Sequence, residues 1–69
     1  MILVTGATGF VGQRVVGTLV ESDYSVRALV HSRAGESVLL RDGVEVIRGD
    51  LLDEESLRRA NQGVETVFH

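Results

Sequence analysis

The sequence contains no cysteine and no lysine, and its seven basic residues are all arginine. Without cysteine, neither a disulfide nor a thiolate metal site can staple the fold. Positive charge is also short, since ten carboxylates against seven basic residues leave a net charge of −3 at pH 7. Nucleic acid and anionic membranes both call for a basic face, so neither is expected as the main partner. No apolar run approaches the roughly 18 residues of a membrane span. The opening Met1-Ile2-Leu3-Val4 lacks the basic start and long apolar stretch of a signal peptide. A soluble, cytoplasmic protein is expected. Length sets a further bound. The 69 residues make one compact unit at most, below the roughly 100–200 residues usual for a doubly wound domain. A chain of this size buries only about 60% of the surface it exposes when unfolded, so its core is marginal.

What is present alternates between two periodicities. Met1 to Val4 is a short apolar run ended by glycine, as in a strand buried on both faces. From Phe10 to Glu21, residues Val11, Val15, Val16, Leu19 and Val20 recur at helical spacing and form one apolar stripe. Ser22 and Asp23 close that helix. Val26 to Val30 reads as a second strand, leading into His31-Ser32-Arg33. A short helix is predicted from about Glu36 to Arg41, and Asp42-Gly43 is a turn signal. Val44 to Ile47 is a third strand. Asp53 caps a helix with Glu54 and Glu55 in its first turn and Arg58 and Arg59 later, the order that suits the helix dipole. Gly63 ends it, and Thr66-Val67-Phe68 begins a fourth strand. Such alternation predicts an α/β Rossmann-like fold, three layers around a parallel sheet with strand order 3-2-1-4. The pattern reads as βαβαβαβ cut off at its last strand, a partial domain whose second half is not among these residues. The fourth strand is then a sheet edge, and a loosely folded monomer or self-association through that strand is expected.

Gly6, Gly9 and Gly12 lie three apart, directly after the first strand and before the first helix. That placement is what a dinucleotide fingerprint requires. Gly6 lets the chain leave the strand sharply, Gly9 lacks a Cβ where a pyrophosphate must approach, and Gly12 lets the helix pack closely. Thr8 completes the turn. The backbone N–H groups of Phe10 and Val11 would point at the anion, aided by the positive end of the helix. The alternative is a tight turn with no ligand. A P-loop is excluded, because it needs Gly-Lys followed by Ser or Thr and here Gly12 precedes Gln13.

The run Val4-Thr5-Gly6-Ala7-Thr8-Gly9-Phe10-Val11-Gly12 resembles the extended and atypical short-chain dehydrogenase/reductase superfamily. That group includes nucleotide-sugar epimerases and dehydratases and the NmrA-like NAD(P)H-binding proteins. The likeness continues through Arg48-Gly49-Asp50-Leu51 to Val67-Phe68-His69 and so covers the whole chain. It implies a dinucleotide cofactor. An acid that binds the ribose of NAD lies about 20 residues past the glycines. Here that region is His31-Ser32-Arg33, with no carboxylate between Asp23 and Glu36. Arg33 can pair with a 2′-phosphate, and His31 and Ser32 can add donors, so NADP is favoured over NAD. Otherwise Arg33 is a solvated loop residue. By resemblance, Asp50 would accept from the adenine amino group and the Leu51 N–H would donate to the ring. The alternative is that Asp50 only orders its loop. His69 is assigned no chemistry.

The superfamily's chemistry uses a Tyr-x-x-x-Lys pair. The sole tyrosine, Tyr24, is followed four residues later by Ala28, so these residues are expected to be inactive alone. Tyr24 reads as a packing residue at a strand edge, and no metal cluster is seen. Three readings follow: the dinucleotide-binding half of an epimerase, dehydratase or reductase; a non-catalytic nucleotide sensor of the NmrA-like type; or a minimal folding module without ligand.

Overall fold

A computed structural model describes residues 1–31 and 43–68. The helix predicted near 36–41, Asp42, Ser32, Arg33 and His69 fall outside these residues. Six elements follow in order: β1 (Ile2–Val4), α1 (Phe10–Glu21), β2 (Val26–Val30), β3 (Val44–Arg48), α2 (Glu54–Asn61) and β4 (Thr66–Phe68). The strands form one sheet in the order β3-β2-β1-β4, and every pairing is parallel.

Strand register sorts the side chains into two faces, because successive residues alternate across a sheet. Ile2 aligns with Val26 and Val26 with Val44; Val4 aligns with Ala28 and Ala28 with Val46. These residues make the middle of the first face apolar, with Thr66 and Arg48 at its margins. It packs with Val15, Val16, Leu19 and Val20 of α1. The second face carries Leu3, Leu29 and Ile47, which pack with Ala60 of α2 and with Val64 in a smaller core. Two helices on opposite faces make three layers.

Val11 departs from the predicted stripe, being 66% exposed. The buried residues of α1 are Gly12 and Val16. At about 100° per residue, Val11 is turned well away from that line.

The second face also holds a charge. Arg27 aligns with Glu45 in the register, and its Nε donates to Glu45 Oε2 at 3.2 Å. Its Nη1 donates to the carbonyls of Ala60 at 2.8 Å and Gln62 at 2.6 Å. These carbonyls lie at the C-terminal end of α2, where unpaired carbonyls and the helix dipole both favour a cation. The other end is capped as predicted: Asp53 accepts from the Glu55 N–H at 3.1 Å and from the Ser56 hydroxyl at 3.2 Å. Gly63 has φ +74°, a left-handed conformation suited to the chain reversal after the helix. Among the described residues, no helix is long and apolar enough to cross a membrane.

Candidate functional site

Because all strands run the same way, their C-terminal ends open on one edge of the sheet, where ligands of open α/β sheets bind. A cleft of about 260 Å³ lies there, lined by Thr5, Gly6, Thr8, Leu29, Val30, His31, Gly49, Asp50 and Leu51. Three chain segments, from the ends of β1, β2 and β3, therefore meet. Five of the residues singled out from the sequence converge on this cleft: Gly6, Thr8, His31, Asp50 and Leu51.

The turn between β1 and α1 forms one wall. Gly6 sits at φ +63°, a conformation that residues with a Cβ rarely adopt. Its carbonyl accepts from the Gly9 N–H at 3.2 Å, which tightens the turn. A Cβ on Gly12 would collide with that same Gly6 carbonyl oxygen and stand 2.8 Å from the Ala7 Cα. Glycine at 12 is thus demanded by the fold. Gly9 differs. Its φ of −71° and ψ of 167° are open to any residue, and among the described residues a Cβ there would touch only the Gly6 oxygen, at an ordinary 3.4 Å. Packing among the described residues gives no reason for glycine at 9, whereas a ligand lying against the backbone would.

Gly9 is also the N-cap of α1, and no side chain caps it. The first intrahelical bond runs from the Gln13 N–H to the Gly9 carbonyl at 2.9 Å. The N–H groups of Phe10, Val11 and Gly12 therefore precede the first helical hydrogen bond, as at any helix start. The side chains of Phe10 and Val11 do not enter the cleft. With Arg14, Val15 and Thr18 they line a shallow hollow along α1, and the Arg14 guanidinium stands 5.9 Å from the centre of the Phe10 ring. Gln13 Nε2 donates to the Thr8 carbonyl at 2.7 Å, tying the helix to the turn.

The opposite wall is the loop after β3. Its entry is fixed by the Gly49 N–H, which donates to the Val30 carbonyl at 2.9 Å. Gly49 lies close under α2, since a Cβ there would come within 3.0 Å of Ser56 and 3.2 Å of Leu29. Asp50 orders the loop: its Oδ1 accepts from the Leu52 N–H at 2.8 Å, and its carbonyl accepts from Asp53 N–H at 3.0 Å. Its other oxygen, Oδ2, lies 3.9 Å from His31 Nε2 across the cleft. Leu51 is half exposed at the rim.

Thr5, Leu29, Val30 and Gly49 also line the cleft, although the sequence reading gave them no site role. Gly49 stood within the Arg48-Gly49-Asp50-Leu51 run that was noted. Leu29 and Val30 read only as part of the second strand, and the strand order shows that their end lines the cleft. Ser32 and Arg33 lie outside the described residues. No group of three or more His, Cys, Asp or Glu suited to a metal occurs among the described residues.

The sequence profile of the NmrA-like family matches residues 1–69. The chain is 44% identical over 68 residues to a 2-alkyl-3-oxoalkanoate reductase of Stenotrophomonas maltophilia, covering 99% of this chain and 20% of that protein. Among solved structures it superposes on an NADPH-dependent quinone oxidoreductase from Escherichia coli with a TM-score of 0.83 at 36% identity, covering 97% of this chain and 25% of that one. It also superposes on a short-chain dehydrogenase/reductase superfamily protein from Agrobacterium tumefaciens with bound NAD. There the TM-score is 0.79 at 37% identity, covering 97% of this chain and 19% of the other. These 69 residues thus span about a fifth to a quarter of the proteins they match.

Proposed function

The chain belongs to the NmrA-like family and corresponds to the NAD(P)-binding part of short-chain dehydrogenase/reductase-type proteins; from that premise we propose that it binds NADP in preference to NAD. The observation that carries the reading is the cleft itself, where the glycine turn, the end of β2 and the loop after β3 converge. Gly9 fits the proposed occupant, since the space beside its backbone is left free by the protein's own packing. In this reading the pyrophosphate lies against Gly6, Thr8, Gly9 and Gly12. Backbone N–H groups of Phe10 and Val11, together with the positive end of α1, meet its charge. Adenine lies in the cleft, with Asp50 Oδ2 accepting from its amino group and the Leu51 N–H donating to the ring.

Cofactor choice rests on the end of β2. One similar structure is NADPH-dependent and another contains NAD, so the relatives leave both open. This chain has His31-Ser32-Arg33 and no carboxylate from 24 to 35. A carboxylate there would repel a 2′-phosphate, whereas arginine can hold it through two charge-assisted hydrogen bonds.

When bound, the nicotinamide supplies hydride transfer. The contribution of these residues is to bind and orient the cofactor's adenosine and pyrophosphate portions for a reductase, dehydrogenase, epimerase or dehydratase reaction. The alternative is a non-catalytic nucleotide sensor of the NmrA-like type, in which the same binding regulates a protein contact. Titration with NADP and NAD tests the reading. Arg33→Ala is expected to weaken NADP by about 1.5–3 kcal/mol, the usual worth of a hydrogen bond to a charged group, and to leave NAD almost unchanged. Equal losses for both nucleotides would remove Arg33 from the phosphate.

A further inference from the structure

His31 and Asp50 stand at the ends of different strands and face each other over the cleft, with Nε2 3.9 Å from Oδ2. At that separation no hydrogen bond joins them. What acts between them is charge, and only when the imidazole carries a proton. The two residues are not equally held. Asp50 is anchored through Oδ1 by the Leu52 N–H, whereas the His31 side chain is 81% exposed and free to turn. Asp50 is the ionisable group within ion-pair distance of His31 among the described residues. Arg48 is exposed and aligned with Val30 rather than with His31. Arg33 follows two residues later in the sequence.

Among the described residues, a protonated His31 has the charge of Asp50 to face in the cleft. A dinucleotide phosphorylated at the adenosine ribose brings a stronger attraction, because a phosphate monoester carries about −1.5 to −2 near pH 7. Resting on the dinucleotide reading of this cleft, we propose that His31 makes the choice between NADP and NAD proton-linked. Protonated, it turns from Asp50 to the 2′-phosphate and favours NADP. Neutral, it brings no charge to the discrimination. The sign follows: the NADP complex binds a proton that the NAD complex does not, so preference for NADP rises as pH falls.

The phosphate itself gains a proton near pH 6 and loses charge as it does so, which opposes this trend in every variant. His31→Gln is therefore the reference, and the measured quantity is the ratio of the Kd for NAD to the Kd for NADP. Titrations would run from about pH 8 to about pH 5.5, spanning the range in which histidine side chains take up a proton. Relative to His31→Gln, the wild-type ratio is expected to rise by about two- to five-fold on acidification, the scale of an exposed ion pair. Relative to His31→Gln, His31→Arg is expected to show a raised ratio at both ends of the range. Superimposable pH curves for wild type and His31→Gln, with both nucleotides bound, would overturn the inference and leave the dinucleotide reading intact. Failure of the wild type to bind either nucleotide at any pH would instead overturn that reading, and this inference with it.

Discussion

Gly9 and Gly12 are three residues apart in one turn, yet their substitution should fail in different ways. Gly12 faces backbone: a Cβ would strike the Gly6 carbonyl oxygen, and backbone cannot rotate aside as a side chain can. Gly12→Ala is expected to destabilise the fold by about 1–3 kcal/mol or more, the range of overpacking in a close-fitted interior. Gly9 has room for a Cβ and an unstrained φ. Gly9→Val should cost the fold only about 1 kcal/mol, through a poorer helix N-cap. It should abolish nucleotide binding, because the side chain occupies the space assigned to the pyrophosphate. Thermal unfolding and calorimetric titration of the two variants separate these effects. Unchanged nucleotide affinity in Gly9→Val would remove the pyrophosphate from the turn.

At the level of the element, α2 shows how a short helix is held at both ends. It spans only Glu54–Asn61, too short to persist by propensity alone. Its N-terminus is satisfied by Asp53 from within the local sequence. Its C-terminus is satisfied by Arg27, which reaches from β2 to the Ala60 and Gln62 carbonyls. Asp53→Ala is expected to cost about 1 kcal/mol, the usual loss for an N-cap. Arg27→Met keeps much of the apolar stem but leaves two carbonyls and Glu45 without their donor, at an expected cost of about 1.5–3 kcal/mol. Denaturant unfolding of both variants checks the order. A larger loss at Asp53 than at Arg27 would show that the local cap outweighs the tertiary one.

For the whole molecule, the Cα radius of gyration of 10.7 Å matches the roughly 11 Å of a compact chain of this length. The weak side is β4. Among the described residues it pairs with β1 alone, and Val67 and Phe68 are 46% and 42% exposed beside its other edge. An apolar, unpaired strand edge is a template for pairing with another chain. These 69 residues, purified alone, are expected to self-associate through β4, and Val67→Lys to shift them toward monomer at equal concentration. Sedimentation velocity decides. A monodisperse wild-type monomer that unfolds cooperatively above about 65 °C, the upper end for mesophile domains, would show that the edge is harmless.

The sequence by itself determined the alternation of strands and helices, the strand order 3-2-1-4 and the Asp53 cap. Each rests on local periodicity, on the fixed handedness of parallel crossovers or on residues within one turn of each other. The three-residue glycine spacing and the Arg48-Gly49-Asp50-Leu51 run were legible for the same reason. Tertiary structure decided what depends on neighbours far apart in the chain. It brought His31 to Asp50 and made Arg27 the second cap of α2. It also turned Val11 outward, because the buried face of α1 centres on Gly12 and Val16. Above all it separated two glycines that look alike in sequence. Gly12 is required because backbone from Gly6 and Ala7 fills the space beside it. At Gly9 no such backbone intrudes, and a spacing motif cannot tell a glycine needed for packing from one that leaves room for something else.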